Sequence, residues 1–204
     1  VPVIGINQIT AVGMGSYHSL FLKKNGTVWG SGESSYGALG NSFPNSGSST
    51  PLQIYSATKA IAVGRQHSLF LKNDGSVWGC GFNFDGQLGN GYNTSSIFKK
   101  AAISGTVIAI ATESGHSLFI KNDSTVWACG SNFYGQLGTG NRNSTSVPIK
   151  VDISGKVVAI AAGFGHSLFL KNDSTVWACG HNDNGQLGAG GNIHELTPVQ
   201  IMSN

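Results

Sequence analysis

The 204-residue chain carries 12 basic and 9 acidic side chains, a formal net charge of +3, and only 10% of its residues are charged. Its lysines stand singly or in pairs (Lys23 with Lys24, Lys99 with Lys100), so no basic stripe can track a phosphate backbone and nucleic acid is not an expected partner. Apolar runs stay short of the roughly 20 residues that cross a bilayer, so no membrane span is expected either.

In chain order, the first feature is a short apolar stretch around a proline, Val1-Pro2-Val3-Ile4, rewritten at Val147 to Val151 and at Thr197 to Ile201. Proline donates nothing to a ladder, so this stretch suits an edge strand. A small apolar segment comes next, most clearly Val157-Val158-Ala159-Ile160-Ala161, as expected of a strand packed on both faces. A third segment opens on histidine (His166 to Lys171) and a fourth holds a tryptophan (Thr175 to Cys179). The intervening Asn172-Asp173-Ser174, or Asn73-Asp74-Gly75 earlier in the chain, predicts a hairpin. After the fourth segment stand Gly, four variable residues and Gly-Gln-Leu-Gly, or Gly37-Ala38-Leu39-Gly40 in the first unit. Glycines at fixed offsets imply positive φ or close approach of chains.

The unit recurs. Gly115 to Gly140 and Gly165 to Gly190 agree at 21 of 26 positions, and Trp29, Trp78, Trp127 and Trp177 stand 49, 49 and 50 residues apart, as do His18, His67, His116 and His166. Four strands per unit, about 50 residues each and no helical apolar face predict an all-β fold, a β-propeller of four-stranded antiparallel blades. The expected organisation is one domain over 1–204, with units at about 1–48, 49–97, 98–146 and 147–196 and an extra terminal strand at 197–201. The proline strand stands at both ends, which leaves three arrangements open: an arc of a larger propeller, chains joined end to end, or a self-closed ring of four.

Gly-His-Ser-Leu, Val-Trp-x-Cys/Ser-Gly and Gly-Gln-Leu-Gly-x-Gly together resemble the repeat of the regulator of chromosome condensation propellers, over the whole chain. The resemblance implies a propeller, usually closed by seven blades, and a scaffold used by unrelated binding proteins. Its members include a nucleotide-exchange factor for the small GTPase Ran and a secreted bacterial β-lactamase inhibitor that binds through aromatic loop residues on one propeller face.

Repetition also sorts the candidate residues. A residue present in every blade serves the frame, so His18, His67, His116 and His166 are read as structural, tying down the glycine turn beside them, and the four tryptophans as packing between blades. Cys80, Cys129 and Cys179, one per unit with Ser31 in the first, read as small buried side chains and not as a disulfide framework. No carboxylate pair recurs, and Asp85, Asp183, Glu33, Glu113 and Glu195 are isolated in the chain. No phosphate loop or metal-ligand spacing is present. The expectation is therefore no catalytic residue, no metal, no cofactor and no enzyme activity.

Function is sought where the units differ: in the loops before the histidines and in the four variable residues. These supply Tyr17, Tyr36, Arg65, Phe84, Asp85, Phe133, Tyr134, Phe164 and Asp183, a composition suited to a protein-binding surface. The leading expectation is a non-enzymatic protein-interaction module with a protein partner. The alternative is a structural subunit of an extracellular assembly, a homo-oligomer or polymer joined through spare terminal strands, and a further reading is nucleotide exchange on a small GTPase. Abundant Gly, Ser, Asn and Thr beside few Lys and Glu suggest an extracellular or cell-surface location.

Overall fold

The structure, a computed structural model, describes residues 6–40 and 47–202. Its sixteen strands form four four-stranded antiparallel sheets, each in simple meander order. The first blade holds β1 (Ile9–Met14), β2 (His18–Lys23), β3 (Val28–Gly32) and β4 (Ser48–Tyr55). The second holds β5 (Thr58–Val63), β6 (His67–Lys72), β7 (Val77–Gly81) and β8 (Ser96–Lys100). The third is built from β9 (Val107–Thr112), β10 (His116–Lys121), β11 (Val126–Gly130) and β12 (Thr145–Lys150). The fourth comprises β13 (Val157–Ala162), β14 (His166–Lys171), β15 (Val176–Gly180) and β16 (Glu195–Met202).

The sheets are offset by one strand from the sequence unit. The proline stretch does not open a blade; it closes one, pairing antiparallel with the tryptophan strand before it, as β4 with β3, β12 with β11 and β16 with β15. Thr197 to Ile201 is therefore neither extra nor spare: it lies inside β16, with Val199 opposite Ala178 and Gln200 opposite Trp177. The copy at Val1 to Ile4 lies outside the described residues. In the second blade the proline is replaced by Phe98, which stacks on Tyr55 at 4.2 Å between ring centroids.

The hairpin between histidine and tryptophan strands follows directly from its residues. The Asp74 carboxylate accepts from the Ser76 amide at 2.9 Å and the Ser76 hydroxyl at 2.6 Å, and Trp78 Nε1 donates to that hydroxyl at 3.3 Å. Asp123 and Asp173 repeat the arrangement with Thr125 and Thr175. The turn needs a left-handed residue before the returning strand, supplied by Gly26 (φ 80°) and Gly75 (φ 79°) but by Ser124 (φ 63°) and Ser174 (φ 68°) in the later blades. On the returning strand each tryptophan is half-buried, with a lysine ammonium over its ring at between 4.3 Å (Lys171 on Trp177) and 5.6 Å (Lys72 on Trp78).

The core lies between the blades. Three apolar clusters fill the three seams: Leu20, Leu22, Val28 and Leu39 against Phe70 and Cys80; Leu69, Leu71, Val77 and Leu88 against Phe119 and Cys129; Leu118, Ile120, Val126 and Leu137 against Phe169 and Cys179. Each phenylalanine is wholly buried, contributing about 1.5–3 kcal/mol by area removed from water. The cysteines are free and buried, each thiol donating to a carbonyl of the preceding blade. No such cluster joins the fourth blade to the first among the described residues, so the chain forms an open arc and not a self-closed ring of four.

Candidate protein-interaction surface

The loops singled out from the sequence emerge on one face of the arc, at the same end of every blade. Each histidine opens its strand opposite the glycine that closes the tryptophan strand (His18 with Gly32, His67 with Gly81, His116 with Gly130, His166 with Gly180), so the loops before and after leave the sheet together. Backbone bonds lock them: Glu33 N donates to Tyr17 O, Phe82 N to Gln66 O, Ser131 N to Gly115 O and His181 N to Gly165 O, all at 2.7–2.9 Å. Neighbouring blades are tied as well, Ser16 N to Arg65 O and Arg65 N to Glu113 O.

Inside each loop a buried asparagine acts as a peg. Asn132 Oδ1 accepts from Leu137 N at 2.9 Å while its Nδ2 donates to Asn141 O and Asn143 O. Asn83 and Asn182 do the same in their blades, and Ser34 takes the position in the first, accepting from Leu39 N. The glutamine of Gly-Gln-Leu-Gly adds a second fixed point, its Oε1 accepting from Asp85 N, Tyr134 N and Asn184 N in turn. Sequence reasoning counted the asparagine among the variable residues. The signal was present, since the same side chain recurs at one offset in three units.

On this frame the nine predicted residues separate. Tyr36 and Phe84 meet, together with Phe82, in an edge-to-face trio across the first and second blades, with centroids 4.9–6.0 Å apart. Tyr134 lies at the boundary of the third and fourth blades, 4.3 Å from the ring of His181 and 5.2 Å from that of His194. Tyr17, Arg65, Phe133 and Phe164 are exposed, and none of the three rings among them makes an aromatic contact within the described residues. Asp85 is half-buried against the Gly115 backbone, and burial raises its carboxyl above the ordinary range.

Asp183 is isolated in the chain but not in space. Its Oδ2 lies 3.1 Å from His181 Nε2 and its Oδ1 3.7 Å from His194 Nε2. All three could present ligand atoms to a metal, yet the surroundings oppose it. His194 Nδ1 accepts from Asn182 N at 3.1 Å, and His181 Nδ1 faces Gln186 Nε2 at 2.7 Å, whose Oε1 is already occupied by Asn184 N. Both imidazoles thus carry their proton on Nε2, aimed at Asp183, whereas a metal-bound imidazole donates from its other nitrogen. The set is a carboxylate clamped by two imidazoles.

The histidines of the frame differ from expectation in their partner. His18 Nε2 meets Ser68 Oγ at 2.9 Å, His116 Nε2 meets Ser167 Oγ at 2.9 Å, and His67 Nε2 meets Thr112 Oγ1 at 2.6 Å. Each bond crosses to the next blade and does not hold the glycine turn. The adjoining glycine supplies room: a Cβ on Gly64 would collide with the His67 ring and the Glu113 carbonyl. Burial lowers these imidazoles, to about 4 at His18 and about 3 at His67 and His116.

A profile of the RCC1-like domain matches residues 2–204. The chain belongs to that family. Among solved structures, this RCC1-like chain is similar to yeast RCC1 (Prp20), in a crystal structure with Kap60, with TM-score 0.88 and 23% identity over all of this chain and 51% of that one. A second structure of Prp20p, from Saccharomyces cerevisiae, gives TM-score 0.86 and 22% identity over 100% and 52%. Human WBSCR16 gives 0.81 and 30% over 94% and 51%. The chain spans about half the length of these neighbours. A search of curated proteins returns no match.

Proposed function

We propose that this chain is a non-enzymatic protein-interaction module whose loop end contacts the partner. The observation carrying the reading is that exposed rings concentrate where the blades differ, at loops pegged by a buried asparagine or, in the first blade, by Ser34. Tyr36, Phe84 and Phe133 are 41%, 55% and 64% exposed on backbone that binding would not need to order, which lowers the entropic cost of association. The neighbouring fold supports the reading at the level of class: Prp20 is described bound to Kap60, and Prp20p by its binding properties to Gsp1p and histones.

The test is the triple variant Tyr36→Ala, Phe84→Ala, Tyr134→Ala, with partners captured from the native host and compared quantitatively with wild type. The circular dichroism spectrum should be unchanged, with a modest loss of thermal stability because Tyr36 packs on Phe82 and Phe84 and Tyr134 on His181 and His194. Affinity for the principal partner should fall by about 30-fold or more if one of these rings is a hot spot worth about 2 kcal/mol. Survival of every captured interaction would remove the proposal. Measuring nucleotide release from a captured small GTPase separates exchange from binding alone.

A further inference from the structure

Opposite the loops, the other end of every blade carries the hairpin between histidine and tryptophan strands, and charge is divided unequally between the two ends. Nine of the ten lysines stand at the hairpin end against four aspartates, whereas both arginines and the five remaining carboxylates stand at the loop end. An anion is therefore drawn toward the hairpins. Three of the four aspartates sit at the hairpin tips, closing the turns of the second, third and fourth blades.

The first hairpin departs from that pattern at two positions. Where the later blades read Lys-Asn-Asp, as in Lys72-Asn73-Asp74, it reads Lys23-Lys24-Asn25. Asn25 keeps the aspartate's part in the turn, its Oδ1 accepting from the Thr27 amide at 3.1 Å and the Thr27 hydroxyl at 2.7 Å. It puts an N–H donor, however, where aspartate carries a second anionic oxygen, and that Nδ2 makes no hydrogen bond among the described residues. A third departure comes from the second blade, where Lys59 takes the position that Ile108 and Val158 hold on β9 and β13.

All three departures raise the positive charge, and all three meet at one cleft. It opens between the first and second blades with a volume of about 300 Å³, and its lining includes Lys23, Lys24, Asn25 and Lys59 but no acidic side chain. The walls are fixed in advance: Thr58 N donates to Gly26 O across the seam at 3.0 Å, and the Lys23 ammonium is held over the Trp29 ring at 5.5 Å. Lys24 and Lys59 are exposed, and neither is in an ion pair among the described residues.

We infer that this cleft is a binding site for a phosphate monoester. Two ammonium groups without an internal counter-charge match the dianion, and Asn25 Nδ2 adds a neutral donor. The volume stands at the lower end of the range for small-ligand clefts. An extended phosphate backbone fits less well, because Asp74, Asp123 and Asp173 stand at the neighbouring tips. The same chemistry is offered by a small phosphate monoester and by a phosphorylated side chain of a partner protein.

The experiment follows backbone amides of the 204-residue chain by NMR at neutral pH and constant ionic strength, during titration with phenyl phosphate, with a phosphoserine peptide of uncharged flanking residues, and with the same peptide unphosphorylated. The two phosphorylated probes should shift Lys24, Asn25, Gly26 and Lys59 saturably, and the unphosphorylated peptide should not. Lys24→Asn with Lys59→Ile restores the residues of other blades and so keeps the fold; it should weaken binding by about 10-fold or more, since two charge-assisted contacts are lost. Asn25→Asp preserves the turn and should weaken binding comparably by returning an anion to the cleft. A phosphopeptide that binds much more tightly than phenyl phosphate assigns the ligand to a partner protein, and equal affinities assign it to a small monoester. Absence of saturable shifts overturns the inference, as do shifts that survive Lys24→Asn with Lys59→Ile or that are equally large at the Asn122 and Asn172 hairpins. Tighter binding of duplex DNA than of either phosphorylated probe overturns it as well.

Discussion

At the scale of single residues, the frame histidines join packing to pH. His67 and His116 are buried with imidazole values of about 3, and His18 stands at about 4, against about 6.5 in an unfolded chain. As pH falls below 6.5 the unfolded chain takes up protons that the folded chain refuses. The stability is therefore whole above about 6.5 and is lost progressively as pH drops toward 4 and 3, at about 1.4 kcal/mol per unit for each histidine fully engaged. Melting temperature should fall steadily between pH 6.5 and 4.5, before the turn aspartates, held low chiefly by their Ser76, Thr125 and Thr175 hydroxyls, begin to titrate. His116→Gln should lower stability at neutral pH yet flatten this slope by about a third. A melting temperature constant down to pH 5 would show that the seams do not exclude the charged form.

At the scale of the element, the four hairpins show two solutions to one turn. Gly26 and Gly75 hold the left-handed position without a Cβ, while Ser124 and Ser174 hold it against steric cost. Ser174→Gly should therefore stabilise the fourth blade by up to about 1 kcal/mol, offset in part by the greater freedom glycine gives the unfolded chain. Thermal unfolding of the single variant and of Ser124→Gly, Ser174→Gly together measures it, and a fall in melting temperature would mean that the serine side chains stabilise the turn more than its backbone strains. The turn was legible from Asn73-Asp74-Gly75 because the information is local. The ownership of the proline strand was not, because local pattern says a segment is extended and cannot say which neighbour it pairs with.

At the scale of the whole molecule, the arc is a row of blades in which each contacts only the next, so stability is close to a sum over blades and seams. Phe119→Ala empties the middle seam and should cost about 3–5 kcal/mol, splitting one thermal transition into two as the halves uncouple. Phe21→Ala, at the same position in the first blade but only half-buried, should cost far less and leave a single transition. Equal losses at the two positions, by differential scanning calorimetry, would argue that the face of the first blade holding Phe21 is covered and not open.

The repeated residues determined the class of fold, the four-strand unit, the hairpins and the loops carrying the exposed rings, because periodicity and turn chemistry are written in neighbouring positions of the chain. Only the tertiary structure decided that the terminal proline strand belongs to β16, that His18, His67 and His116 bond across seams, and that His181, Asp183 and His194 converge around Tyr134. Those relations depend on which segments meet in space, from the 21 residues that separate Ala178 from Val199 to the 45 or more between His18, His67 or His116 and its hydroxyl, and pairing between such positions leaves no mark in the order of residues along one chain.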